Sequence, residues 1–229
     1  MTKKKEAKTA VAEAPKAGVI PAEFEERIDI ERPDIYPQAM IERHRNRYFW
    51  ACGRISDRFA RSGWTLDAAC GTGYGSSLLL SNSHKVVGLD GDASAIKHAR
   101  ERFGGSLLAF RQADFARPLP VNGDQFDAAV TIETIEHLTE AAASYFLGEL
   151  HRSLTKNGLL VLSTPIFNAA RGLTSTFHIK EYTPNEMVAL ITSAGFVDVK
   201  VDDIDERGFS NLGDFMFITA RKPGKGESA

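Results

Sequence analysis

Between Thr65 and Lys222, short apolar runs keep giving way to segments of helical period, and that alternation leaves few folds open. TLDAA, KVVGLD, LLAFRQAD, FDAAVTIE and GLLVLSTP read as strands. YGSSLLLSN, ASAIKHARERF, AAASYFLGELHRSL and TPNEMVALITSAG read as helices, the last opening on a Thr-Pro start signal and stopping at Gly195. Strands that are apolar on both faces need cover on both faces, which predicts a mostly parallel α/β sheet between helical layers. VDVKVDDI and DFMFITARK have no helix between them, so the closing pair is expected to be antiparallel.

Composition sets the limits of this unit. With 229 residues, 43% of them hydrophobic, the chain suits one globular domain with tails. The expected division is a disordered basic tail over 1–20, a helical lid segment over 21–60, the main domain over 61–222, and a flexible end over 223–229. The lid helix rests on apolar spacing in IYPQAMIERHRNRYFWACGRISDRFAR, which also carries the cluster Arg43, His44, Arg45 and Arg47. That cluster reads first as a solvated face and second as a contact for an anionic substrate.

Charge and cysteine usage exclude several classes. Lys plus Arg number 28 against 30 Asp plus Glu, a formal −2, which gives no global pull toward nucleic acid or an anionic membrane. The lysines of MTKKKEAKTAVAEAPK leave nucleic acid as a less favoured partner. Cys52 and Cys70 lack CxxC spacing, so neither a zinc ribbon nor a disulfide framework is expected. No run approaches the ~20 apolar residues of a membrane span, and no apolar core follows the N-terminal lysines. A cytoplasmic location without membrane contact is the expectation. Oligomeric state is not legible.

Chemistry concentrates in LDAACGTGYGS. The loop lacks the lysine of a phosphate-binding GxxxxGK[ST], and it spaces Gly71, Gly73 and Gly75 as GxGxG rather than GxGxxG. An acid, Asp67, stands at the strand end beside it. A pyrophosphate would be repelled there, whereas a ligand bearing an ammonium group would be attracted. Asp90, 19 residues past Gly71, ends the next strand, where a carboxylate can hold two ribose hydroxyls. Asp114 ends the third, with Phe115 beside it to cover a base. Such acids are individually common as caps and turn formers, but four strand-end acids, counting Glu133, in register behind a glycine loop point to one nucleoside ligand with a cationic end.

In this ordered set the chain resembles the class I S-adenosylmethionine-dependent methyltransferases. The likeness covers about Arg61 to Lys222 and rests on LDAACGTGYG, VVGLDGDASAIKHA, FRQADF, FDAAVTIETIEHL and LTKNGLLVLSTP. It implies a Rossmann-like seven-stranded sheet with the last strand reversed. It also implies S-adenosylmethionine as cofactor, cradled by Ala69, Gly71, Gly73 and Tyr74, with Asp90 and Gly91 at the ribose and Asp114 with Phe115 at adenine. Glu133 completes that wall.

After the fourth strand stands ETIEH. If a helix began by Glu133, then Glu133, Glu136 and His137 would share one face. His178, in TSTFHIKEYT, is a distant candidate to join them. Three roles stay open: a general base at His137, metal ligation by Glu133, Glu136, His137 and His178, or a structural part. ExxEH resembles the metal site of small-RNA 2′-O-methyltransferases and occurs in ubiquinone-pathway O-methyltransferases, yet a resident metal is not the expectation. No NPPY-type signature stands there, which argues against methylation of base amino groups. The expected activity is methyl transfer to an oxygen, less readily a nitrogen, of a small-molecule or glycan-like acceptor. The alternatives are a metal-dependent RNA 2′-O-methyltransferase and a non-catalytic cofactor-binding subunit. Ile166 to Thr183, rich in Ser and Thr, reads as a lid over the acceptor.

Overall fold

The computed structural model describes residues 36–202 and 214–227. The basic tail expected over 1–20, the first part of the lid segment and the last two residues lie outside them. The elements run α1 Gln38–Phe59, β1 Ser62–Ala68, α2 Tyr74–Leu79, β2 Ser83–Asp90, α3 Ala93–Phe103, β3 Leu108–Gln112 and β4 Phe126–Ile132. They continue with α4 Glu140–Ser153, β5 Leu154–Pro165, α5 Pro184–Ser193, β6 Val197–Asp202 and β7 Phe215–Arg221.

The strands form one seven-stranded sheet in the order β3-β2-β1-β4-β5-β7-β6. β1 through β5 pair in parallel, and β7 enters antiparallel to both β5 and β6. This is the expected architecture, including the reversed closing pair. From β1 the chain winds outward to β2 and β3, then returns to lay β4 on the other side of β1. The gap above the carboxyl ends of β1 and β4 is therefore the switch point, where open α/β sheets bind ligands.

Both faces of the sheet are buried, as continuous apolar strands require. One face packs Leu66, Val87, Leu89 and Leu160 against Phe146, Leu147 and Leu150 of α4 and Met187 and Ile191 of α5. The other packs Val86, Ala128, Val130 and Val161 against Tyr48, Ala51 and Ile55 of α1 and Ile96 and Ala99 of α3. So α1, expected as a separate lid ahead of the domain, is built into the core by its second half. Fully burying each of these large side chains contributes about 1.5–3 kcal/mol.

Local signals set several boundaries. Asp92 caps α3 by accepting from the Ser94 and Ala95 amides. Thr183 and Glu186 form a reciprocal capping box ahead of α5, with Pro184 at its first position. One expectation fails. Glu133 is not helical: it has φ 51°, a 3-10 turn spans Ile135–His137, and α4 starts only at Glu140. The turn is held from outside, because the Ile179 and Lys180 amides both donate to the Glu136 carbonyl at 2.8 and 3.1 Å.

Candidate active site

The loop after β1 is shaped by two pressures. Its amides at Ala69 and Cys70 both donate to the Leu89 carbonyl at 2.8 Å, which forces a tight reversal. Ala69 and Gly71 take positive φ of 73° and 54° there and line the cavity. The other two glycines answer to protein neighbours. A Cβ at Gly73 would stand 2.7 Å from the Ala99 side chain and 2.8 Å from Phe110, and one at Gly75 would stand 2.0 Å from the Tyr48 ring. Two of the three glycines that mark the motif thus admit α3, β3 and α1.

Above the switch point lies a cavity of about 590 Å³, within the range of small-molecule sites. Ala69, Gly71, Thr72 and Tyr74 supply its floor, and Asp90 and Gly91 form one wall. Asp90 is 5% exposed and holds the loops together, its oxygens accepting from the Gly71 amide at 2.8 Å and the Asp92 amide at 2.9 Å. A carboxylate accepts several hydrogen bonds, so one acid can serve this loop and a ligand diol together. Phe115 lines this cavity and also a shallower neighbour that includes Asp114. The Asp114 side chain is 60% exposed and pairs with Arg117 at 3.2 Å.

Asp67 departs from its expected place. It is fully buried beneath the cavity floor and accepts from Ser76 Oγ at 2.6 Å and Tyr48 Oη at 3.3 Å, so it does not reach a ligand directly. Burial pushes its carboxyl up to about 7, against the two hydrogen bonds that favour the anion. Gly73 likewise is packing rather than wall.

The far wall comes from α1 and the ETIEH turn. Met40, Arg43, His44 and Arg47 project from α1, and Phe215 from the start of β7. Arg47 is nearly buried, 3.5 Å from Glu133 and with its guanidinium 4.1 Å above the Phe215 ring. Burial, with Arg47 adding, drops the His44 imidazole to about 3, so it is neutral; its Nδ1 is bonded to the Tyr74 hydroxyl. Of these residues only the Arg43–Arg47 cluster drew notice in the sequence. Met40 and Phe215 carry no local signal.

Glu133 accepts from Ser163 Oγ at 2.8 Å and stays on the cavity wall beside Arg47. Glu136 is wholly buried, with Oε2 accepting from Thr164 at 2.9 Å. Burial holds its carboxyl well above the usual carboxylate range, and the Glu133 charge adds to that. His137 and His178 stand edge to face, ring centres 4.9 Å apart. The predicted quartet therefore assembles as a triad of Glu136, His137 and His178, ligand atoms within 4.8 Å of one another, with Glu133 turned toward Arg47. These three are the residues that could hold a metal ion, while the loop, Asp90 and Phe115 line the part of the cavity that could hold a nucleoside cofactor.

The segment Ile166 to Thr183 closes over this wall. It is pinned by the Glu136 carbonyl, a Phe167 amide bond to the Tyr182 carbonyl at 2.9 Å, and Arg171, which pairs with Asp214 at 2.8 Å.

Residues 66–162 match the methyltransferase domain family model. Over 168 residues the chain is 36% identical to a protein of Mycobacterium tuberculosis named a probable S-adenosylmethionine-dependent methyltransferase, covering 68% of this chain and 60% of that one. It is 25% identical over 125 residues to the malonyl-[acyl-carrier protein] O-methyltransferase of Hamiltonella defensa, 55% of this chain and 46% of the relative. The alignments thus span about half to three fifths of the curated relatives' length. Among solved structures, one titled as the complex of the Haloferax volcanii Trm112 methyltransferase activator with a methyltransferase superposes with a TM-score of 0.64. It covers 81% of this chain and 92% of that one at 17% identity, which shows the fold. With glycine loop, strand order and family match in agreement, residues 66–162 form a methyltransferase domain of the class I, S-adenosylmethionine-dependent kind.

Proposed function

We propose that the protein transfers the methyl group of S-adenosylmethionine to a hydroxyl oxygen of a small-molecule or glycan-like acceptor. The observation that carries this reading is the placement of two imidazoles and a carboxylate, Glu136, His137 and His178, on the same cavity that the glycine loop and Asp90 line. A hydroxyl is a weak nucleophile until its proton is drawn away, and these are the groups that orient an O–H and relieve it of that proton.

The cofactor supplies a methyl group already activated by its positive sulfur. The chain's task is then position and exclusion of water. The Ala69 and Gly71 backbone and Thr72 hold the methionyl end, Asp90 the ribose, and Phe115 with Asp114 the base. Arg47, tied to Glu133 and Phe215, keeps α1 against the site. The O-methyltransferase named among the relatives supports oxygen as the accepting atom.

The test is product analysis. Purified protein is incubated with methyl-labelled cofactor and panels of sugars, phenols and amines. A base-stable methyl ether formed on a hydroxyl acceptor supports the reading. Transfer only to amines, or to carbon, refutes it.

A further inference from the structure

We propose that Glu136, His137 and His178 bind a divalent cation of the zinc and cobalt class, and that the acceptor hydroxyl reaches the site by coordinating it. The role of the ion rests on the methyl-transfer reading above; its presence does not.

The geometry is near what such an ion needs. Glu136 Oε1 and His137 Nε2 are 3.9 Å apart, beyond hydrogen-bond range. Tetrahedral ligands about 2.0–2.1 Å from a zinc ion sit roughly 3.4 Å from one another. All three ligand atoms lie within 4.8 Å of one another, a set somewhat wider than a bound ion would draw in.

Two observations go beyond proximity. The first is outer support. His137 Nδ1 is 3.2 Å from the Phe177 carbonyl, an oxygen that only accepts, so Nδ1 carries the proton and Nε2 the lone pair. His178 Nδ1 is 2.7 Å from Glu181 Oε1, which fixes the same tautomer. A carbonyl and a carboxylate behind the two rings are the partners that ligating histidines have.

The second is an orphan. Glu136 Oε1 is buried on the cavity wall and has no hydrogen-bond partner, although Oε2 of the same carboxylate is satisfied by Thr164. A buried oxygen in that state is costly, and a cation is the partner it lacks. The donor set then selects among ions. Two imidazole nitrogens with one carboxylate oxygen favour zinc, cobalt or iron(II) over magnesium, which takes oxygens.

Three protein ligands leave a coordination position open. A hydroxyl placed there loses its proton more readily, as water does on zinc. In the transfer, the O–H bond breaks with its proton passing to water, and the O–C bond forms as the S–C bond breaks. The sulfur keeps that electron pair and becomes a neutral thioether, so no oxidant or reductant is required. The acceptor class follows: a neutral alcohol or sugar hydroxyl that would otherwise stay protonated at neutral pH.

The full-length protein is stripped with a chelator and titrated with cobalt(II) alone, following the visible d–d absorption. Stoichiometric binding with tetrahedral or five-coordinate intensity, displaced by zinc, is expected. Glu136→Gln and His178→Gln should weaken it at least about 100-fold, and Glu181→Gln about 10–100-fold, as loss of an outer partner does. Thermal melting and cofactor affinity are measured on each variant, so that a misfolded chain is recognised; Thr164→Val, which adjusts Glu136 without deleting a ligand, supplies a second, milder lesion expected to weaken cobalt affinity. Absence of a cobalt spectrum in folded wild-type protein overturns the proposal, as does binding unchanged in Glu136→Gln and His178→Gln. Cobalt binding without any methyl transfer would instead leave the ion in place and remove the methyl-transfer reading.

Discussion

The two sides of the cavity are built in different ways. The side proposed for the cofactor is local: β1, its loop, the start of α2 and the end of β2 assemble through bonds such as Gly71 amide to Asp90 and Ser76 to Asp67, with β1 and β2 adjacent and parallel. The side proposed for the acceptor joins a 3-10 turn after β4 to a loop after β5, with Phe177 and Ile179 reaching back to His137 and Glu136. The first side is largely a backbone shape, built on the positive φ of Ala69 and Gly71. The second is a set of side chains held by long-range contacts, which is where specificity can change without disturbing the fold.

If that division holds, lesions on the two sides separate in their effects. The largest is expected on the acceptor side. His137→Ala should lower kcat by about 10²–10⁴ while the cofactor Kd measured by calorimetry stays put; an equal loss of cofactor affinity would break the division.

Next comes Asp67, on the cofactor side yet beneath the floor. Its carboxyl is raised from 3.8 to about 7 by burial, so the folded state holds that proton more tightly than the unfolded chain. Its contribution to stability is present below pH ~4 and is lost as pH rises to ~7, a change on the order of 4 kcal/mol. Asp67→Asn should flatten that decline. Urea unfolding of both proteins across this range checks it, and parallel curves would place the charge elsewhere.

Asp90→Ala follows, with cofactor binding weakened about 100-fold from lost charge-assisted hydrogen bonds and far-UV dichroism retained. The smallest effect is Ala69→Gly. A non-glycine residue at φ 73° is strained, so glycine there should raise stability by up to ~1 kcal/mol, read as a higher Tm.

The same division decides what the sequence discloses. The alternation of strands and helices, the closing antiparallel pair and the acid on β2 follow from period, turn residues and spacing, because each is written in residues close in the chain. Asp67 is misread because spacing reports that an acid ends a strand but not that Tyr48, from α1, lies over it. Gly73 departs from the expected cradle for a like reason: its missing Cβ makes room for the Ala99 and Phe110 side chains, not for a ligand. Glu133 shows the limit most sharply. ExxEH has helical spacing, yet bonds from the loop at Ile179 and Lys180 hold the turn in a 3-10 form and set Glu133 apart from Glu136 and His137. Phe215 and Met40 enter the wall with no motif at all, since only the folded sheet brings β7 and α1 to that edge.

One titration bears most directly on the whole account: calorimetry of the wild-type protein with S-adenosylmethionine and, separately, with a nicotinamide dinucleotide. Saturable binding of the sulfonium compound, with no heat from the dinucleotide, is the predicted result. Tight binding of the pyrophosphate-linked ligand and indifference to S-adenosylmethionine would contradict it.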